Sequence, residues 1–248
     1  MAPLNTVIFD LWQTLIIDYP EPGRLRVQKR LDSVSEVLST AGFHFTQDQL
    51  TGASQNCYRV CDGIREQEGD VSFDEQVDIF INGIDEGLLE RISDETRTHI
   101  ARRYADSYLE HPPLIADGAK RVVRALKEMG YKVGMICNTG STPGVTQRVF
   151  LDRMGLLPFF DTLTFSDEER LSKPSTEIFH RTLDRLMSSS AESVHVGDHP
   201  RNDVEGAKRA GLRAIWLRRD GAREPDVAPD ATIETLEETL DALSQLTA

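Results

Sequence analysis

Hydrophobic positions along the chain follow two rhythms. Short continuous apolar runs that stop abruptly at polar or glycine residues occur at NTVIFD (5–10), YKVGMICNTG (131–140), AESVHVGD (191–198) and GLRAIWL (211–217). Runs of this kind fit strands buried on both faces of a parallel sheet. Between them, GAKRVVRALKEMG (118–130), STEIFHRTLDRLMSS (175–189) and DVEGAKRAG (203–211) carry apolar residues at helical spacing. Strands alternating with amphipathic helices predict an α/β class: an open, parallel, Rossmann-like sheet with right-handed crossovers.

Residues 18–108 keep only the helical rhythm. Leu31, Val34 and Leu38 share one helix face that ends at Gly42. TQDQLTGASQNCYRVCDGIREQ (46–67), FDEQVDIFINGIDEGLLE (73–90) and SDETRTHIARRYADSYLE (93–110) continue the pattern. Thr46 and Ser93 are expected N-caps, each with an acid or amide in the following turn. The predicted organisation is an α/β core of residues 1–17 and 109–248, with an α-helical bundle of residues 18–108 inserted after the first strand.

Composition narrows the function classes. The 248 residues carry a net charge of −13, which disfavours the phosphate-backbone contacts of nucleic-acid binding and attraction to an anionic membrane. A small anionic substrate stays compatible, because a pocket can be locally positive in an acidic protein. No signal peptide or membrane span is expected, since Asp10 interrupts the first apolar run. Three cysteines, Cys57, Cys61 and Cys137, make no disulfide framework, and a reduced, cytoplasmic location is the default expectation. Cys57 and Cys61 stand one helical turn apart without a His or Cys partner nearby, so they read as small half-buried helix residues rather than half a metal site.

Chemistry is expected beyond the carboxyl ends of the strands, where open parallel sheets bind ligands. Asp10, then Cys137, Asn138, Thr139 and Gly140, then Asp198 occupy those ends. Asp203 follows at the start of a helix, and Lys173 precedes another. An acid at the end of a buried apolar run is costly unless something uses it. Three carboxylates and a lysine at one sheet edge suit a divalent cation and an anion, and carboxylates prefer a hard ion such as Mg²⁺. Alternatives stay open for single residues. Asp203 also suits an ordinary first helical turn, Asn138 a turn, and Cys137 a small buried position, because a thiol donates weakly.

FDLWQTL, MICNTGS, LSKP and VGDHPRND, in this order and spacing, resemble the four motifs of the haloacid dehalogenase-like hydrolase superfamily, and the helical insertion resembles its cap. The resemblance implies that Asp10 is a nucleophile forming a covalent intermediate and that Thr14 supports its loop. It implies that Cys137 stands where a phosphoryl-gripping Ser or Thr is usual, and that Lys173 neutralises Asp10 and the phosphoryl oxygens. It further implies that Asp10, Asp198, Asp203 and the Trp12 backbone carbonyl hold Mg²⁺. Asn138 and the amides of Thr139 and Gly140 are then expected beside the anion.

Two positions depart from that pattern. Trp12 stands where phosphatases of the superfamily carry a second aspartate, the general acid and base. Gln13 replaces a glycine. An indole N–H donates a hydrogen bond but shuttles no protons at neutral pH. Three readings follow: a Mg²⁺-dependent phosphohydrolase of a small phosphorylated metabolite, slowed by Trp12; a metal-free L-2-haloacid dehalogenase, which has an aromatic residue at this place; and a non-catalytic relative that binds a phosphorylated ligand or a partner protein. The acids at 198 and 203 favour the first, because uncompensated carboxylates raise one another's pKa. The cap residues Arg24, Tyr58, Arg59 and Arg65 are read as solvated, with substrate contact as the alternative.

Overall fold

The structure, a computed structural model, describes residues 3–247. The chain opens with β1 (Thr6–Phe9) and the two-residue β2 (Ile16–Ile17), then runs through five helices. These are α1 (Pro20–Thr40), α2 (Gln47–Glu66), α3 (Phe73–Ile84), α4 (Leu88–Arg91) and α5 (Asp94–Glu110). The chain returns through β3 (Leu114–Ile115) and α6 (Ala119–Glu128) to β4 (Lys132–Cys137), α7 (Gly144–Arg153), β5 (Thr162–Phe165), α8 (Ser166–Glu169) and α9 (Thr176–Leu186). It ends with β6 (Ser193–Gly197), α10 (Gly206–Arg209), β7 (Arg213–Leu217), β8 (Ala231–Ile233) and α11 (Thr239–Thr247).

Among the described residues the main sheet has six strands in the order β5-β4-β1-β6-β7-β8, every neighbouring pair parallel. This is the α/β class that the patterning predicts. The apolar runs are buried on both faces as expected. Val7 and Phe9 of β1 pack with α6, α7 and α11, while Ile8 packs with α9 and α10. Each predicted strand loses its polar ends, so that 131–140 becomes Lys132–Cys137. The two edge strands, β5 and β8, lie outside the expected strand runs. They are short and half polar (TLTF and ATI), so neither offers a continuous apolar run.

Helices α1 to α5 surround a hydrophobic cluster of their own that includes Leu31, Val34, Leu50, Val77, Phe80, Ile100 and Tyr104. Thr46 caps α2 in a full capping box with Gln49, and Ser93 accepts from the Thr96 N–H, as expected. Ser72 caps α3 with Glu75 in the same way. Each such cap satisfies an orphan N–H and is worth about 1 kcal/mol. The helical stretch expected across 73–90 breaks at Asp85, and Gly87 takes a left-handed φ of 72° before α4. An antiparallel pairing of β2 with β3 closes the base of this insertion. No helix among the described residues is long and apolar enough to cross a membrane.

Candidate active site

The carboxyl ends of β1, β4 and β6 lie side by side in the middle of the sheet, and each delivers a polar residue to one point. Asp10 follows β1 and is 6% exposed. Its N–H donates to the Val196 carbonyl of β6 (2.9 Å), which continues the strand pairing up to the carboxylate. Asp198 follows β6, and its backbone carbonyl accepts from the Trp216 indole at 2.9 Å. Asp203 is carried on a π-helical turn, Pro200–Glu205, rather than on the regular helix expected from 203. Such turns recur at functional sites because they re-aim one side chain. A side chain at Gly197 would overlap the Asp203 carboxylate, its Cβ lying 2.3 Å from Cγ. Glycine is therefore the residue that lets Asp203 fold back against the strand end.

Lys173 joins the group from the loop before α9. Its Nζ donates to Asp10 Oδ1 at 2.6 Å and to Asp203 Oδ1 at 2.7 Å, and the side chain is almost fully buried. Asn138 holds this lysine by its backbone: its Nδ2 donates to the Lys173 carbonyl (3.0 Å), and its Oδ1 accepts the Lys173 N–H (2.9 Å). Asp203 also accepts from His195 Nε2 (3.0 Å) and from the His199 N–H (2.9 Å). Thr14 is fully buried, and its hydroxyl donates to Asp198 Oδ1 at 3.5 Å.

The electrostatics follow from three carboxylates sharing one ammonium. Burial raises Asp10 to about 6, against the lowering charge of Lys173. Burial and the charges of Asp10 and Asp203 raise Asp198 to about 8. Burial also pushes Asp203 upward, but Lys173 and His195 outweigh it and hold its carboxyl well below the ordinary range. Lys173 loses from burial and gains more from Asp10 and Asp203, so it stays charged. One ligand oxygen from each of Asp10, Asp198 and Asp203 lies within 4.8 Å of the others. An oxygen-only donor set with excess negative charge fits a hard divalent cation.

Two other expected contributors differ. Cys137 is fully buried in the core, and its thiol donates to Gln147 Oε1 of α7 at 3.2 Å. It does not line the cleft over Asp10, which corrects its place among the candidate substrate-binding residues and takes its buried alternative. Thr139 lines the cleft, but its N–H already donates to Ser166 Oγ at 2.9 Å. That amide is not offered to an anion. Gly140, with φ 61°, makes no backbone N–H bond among the described residues.

Ser166, Asp70, His195 and Arg219 join this region without having been expected from the sequence. Ser166 Oγ donates to Asp70 Oδ2 (2.5 Å), and Asp70 accepts from Arg65 Nε (3.0 Å). Arg65 Nη2 reaches the Gly140 carbonyl (3.1 Å), so this arginine ties α2 to the loop after β4 rather than facing solvent. Arg219 Nε donates to the Gln13 carbonyl at 2.7 Å. Only His195 leaves a signal in the sequence. Like Asp10, it is a polar residue inside an apolar run.

A sequence model of the haloacid dehalogenase-like hydrolases matches residues 4–211. The chain belongs to that family. A glyceraldehyde 3-phosphate phosphatase of Methanocaldococcus jannaschii is 34% identical over 130 residues, 51% of this chain and 55% of that protein. A ribulose-1,5-bisphosphate 5-phosphatase of Halopiger xanaduensis is 32% identical over 148 residues, 58% of this chain and 59% of that protein. The chain thus spans little more than half the length of these curated relatives. A HAD phosphatase from Thermococcus onnurineus superposes with a TM-score of 0.64 at 26% identity, over 97% of this chain and 98% of that one. A 2-haloacid dehalogenase from Pseudomonas syringae pv. Tomato DC3000 gives 0.72 at 21% identity, over 98% and 99%, and shares the fold.

Proposed function

We propose that this family member is a Mg²⁺-dependent phosphomonoester hydrolase working through an aspartyl phosphate on Asp10. The observation that carries the reading is the Lys173 ammonium clamped between Asp10 and Asp203, with Asp198 completing a three-oxygen set. The phosphatase names of the curated relatives support the same class. The core is taken as residues 1–17 and 109–248, and the helices of 18–108 as a cap over the cleft. The substrate is read as a small phosphorylated metabolite; the charge of −13 speaks against nucleic acid and anionic membrane.

Asp10, Asp198, Asp203 and the Trp12 carbonyl are the groups that would hold Mg²⁺. Bound there, the cation supplies positive charge to the phosphoryl oxygens and relieves the crowded carboxylates. The remaining steps belong to the chain. Lys173 and the Gly140 N–H receive the phosphoryl oxygens. Asp10 attacks phosphorus in line, and the bond to the leaving oxygen breaks with its electron pair leaving on that oxygen. Positioning and fixed charge carry most of such a loose displacement. A water then attacks phosphorus, which frees inorganic phosphate and restores Asp10. Asn138 keeps Lys173 on target throughout.

A metal-free dehalogenase is the second reading, favoured by the aromatic Trp12 at the cleft floor. One experiment separates them: an aryl phosphate and a 2-chloro acid, each with Mg²⁺ and with chelator. Phosphate release that chelator stops is the expected result. Halide release indifferent to chelator supports the dehalogenase, and silence in both with ligand binding retained supports the non-catalytic relative. Asp10→Asn is expected to end turnover while its circular dichroism spectrum stays unchanged; residual wild-type activity in that variant overturns the scheme.

A further inference from the structure

The cleft above Asp10 encloses about 950 Å³, far more than one phosphoryl group fills and within the range of sites for extended small ligands. One wall is α1 of the helical insertion, and that wall is cationic. Arg24, Arg26 and Arg30 all line it, with Asp18 as the one acid apart from the three site aspartates. In a chain of net charge −13, three guanidiniums within two turns of one cleft-facing helix run against the average.

The partners of these arginines leave positive charge uncompensated. Asp18 pairs with Arg26 Nη2 at 2.6 Å. Arg24 makes no ion pair among the described residues. Arg30 is 2% exposed and meets only neutral groups, donating to the Tyr104 carbonyl (3.2 Å) and to Ser141 Oγ (2.9 Å). Ser141 in turn is 2.8 Å from the Tyr58 hydroxyl of α2. One carboxylate therefore faces three guanidiniums.

A second observation points the same way. Arg26 is 5% exposed, and its Nη1 has no hydrogen-bond partner among the described residues. Its guanidinium lies 5.8 Å from the Trp12 ring centroid and 5.3 Å from that of Tyr108. A buried guanidinium N–H without an acceptor is costly and rare. An oxyanion arriving at this wall supplies that acceptor once the guanidinium turns toward it, and planar carboxylate or phosphate oxygens suit its fork.

We propose that the substrate carries a second anionic group, a carboxylate or a second phosphate, at the end remote from the reacting phosphoryl, and that the α1 arginines receive it. The proposal rests on the phosphohydrolase reading for the position of the first anion. Its test measures binding rather than turnover, so that the two stand or fall separately. Asp10→Asn protein in Mg²⁺ is titrated calorimetrically with propyl phosphate, with 3-phosphonooxypropanoate and with propane-1,3-diol bisphosphate.

Tighter binding of one or both doubly anionic ligands, by tenfold or more over propyl phosphate, is the expected result, and which one gains identifies the second group. Equal or weaker binding of both overturns the proposal, as does failure of all three to bind. Arg24→Met and Arg26→Met should each bring the ratio toward one; a loss of folding alone would leave the ratio among correctly folded molecules unchanged. Wild-type hydrolysis of propyl phosphate, assayed in parallel, reports on the phosphohydrolase reading alone.

Discussion

Trp12 packs edge-on against Tyr108, with ring centroids 5.9 Å apart, and Arg26 lies over its indole. No proton-shuttling side chain occupies the place two residues beyond Asp10, so in the proposed reaction the leaving oxygen would depart without help from that position. General acid–base assistance is typically worth about 10²–10⁴-fold. Trp12→Asp should therefore raise turnover of an alkyl phosphate at least about tenfold, and that of a nitrophenyl phosphate much less, because a good leaving group needs no proton. Equal effects on the two substrates would show that Trp12 limits access rather than chemistry. Asp167 gives a residue-scale prediction on stability. Burial raises its carboxyl to about 6, while the Gly144 N–H donates to it. Below the ordinary carboxylate pKa of 3.8 both folded and unfolded chains hold the proton; as pH rises to about 6, the unfolded chain releases it first. That component of stability is lost across this window. Asp167→Asn keeps the acceptor and removes the charge, so its gain in melting temperature over wild type should grow from pH 4 to 6 and then level, corresponding to at most about 2 kcal/mol after screening. A gain independent of pH would refute the assignment.

At the scale of elements, the turn from β1 to β2 shows which features the sequence displays and which it hides. Strand ends, helix caps and the three acid- or lysine-bearing loops were legible because each is local: an apolar run stops, and a polar residue stands at the stop. Gln13 was legible as an oddity, and its left-handed φ of 57° gives the oddity a cost of about 1 kcal/mol for a residue with a Cβ. The compensation was not legible. Arg219, 206 residues away, donates to the Gln13 carbonyl and, at 3.4 Å, to that of Thr14, pinning the turn from the loop after β7. The Ser166–Asp70–Arg65 chain was hidden for the same reason, since it depends on which distant element arrives, whereas the turn of the Cys137 thiol toward Gln147 depends on how the very next helix, α7, packs. A double-mutant cycle tests the pinning. Arg219→Ala should destabilise wild type by about 1 kcal/mol more than it destabilises Gln13→Gly, read from urea midpoints, because glycine holds the left-handed turn unaided. Additive effects would show that Arg219 acts elsewhere.

On the scale of the whole molecule, the fold concentrates charge that the unfolded chain keeps dispersed. Asp10, Lys173, Asp198 and Asp203 come from loops after β1 and β6 and before α9, and a continuous sheet brings them together. Three carboxylates balanced by one ammonium leave the folded state with a local excess of negative charge that burial makes costly. A divalent cation that binds this set and not the unfolded chain must stabilise the fold by mass action, by about 2.7 kcal/mol at a concentration 100 times its dissociation constant. Millimolar Mg²⁺ is therefore expected to raise the melting temperature of wild type by several degrees, while the same ionic strength of Na⁺ does not. Asp198→Asn supplies the internal contrast. It replaces a carboxyl whose ionisation burial and the neighbouring carboxylates already oppose, so the metal-free variant should melt at or above the metal-free wild type. It also removes a ligand, so its response to Mg²⁺ should shrink. A structural lesion would lower both values, and a surface charge would change neither. An unchanged or raised metal-free melting temperature together with a reduced Mg²⁺ shift is the outcome that only a shared cation site produces. An undiminished Mg²⁺ response in Asp198→Asn would place the ion elsewhere and remove the electrostatic basis of the proposed phosphoryl chemistry.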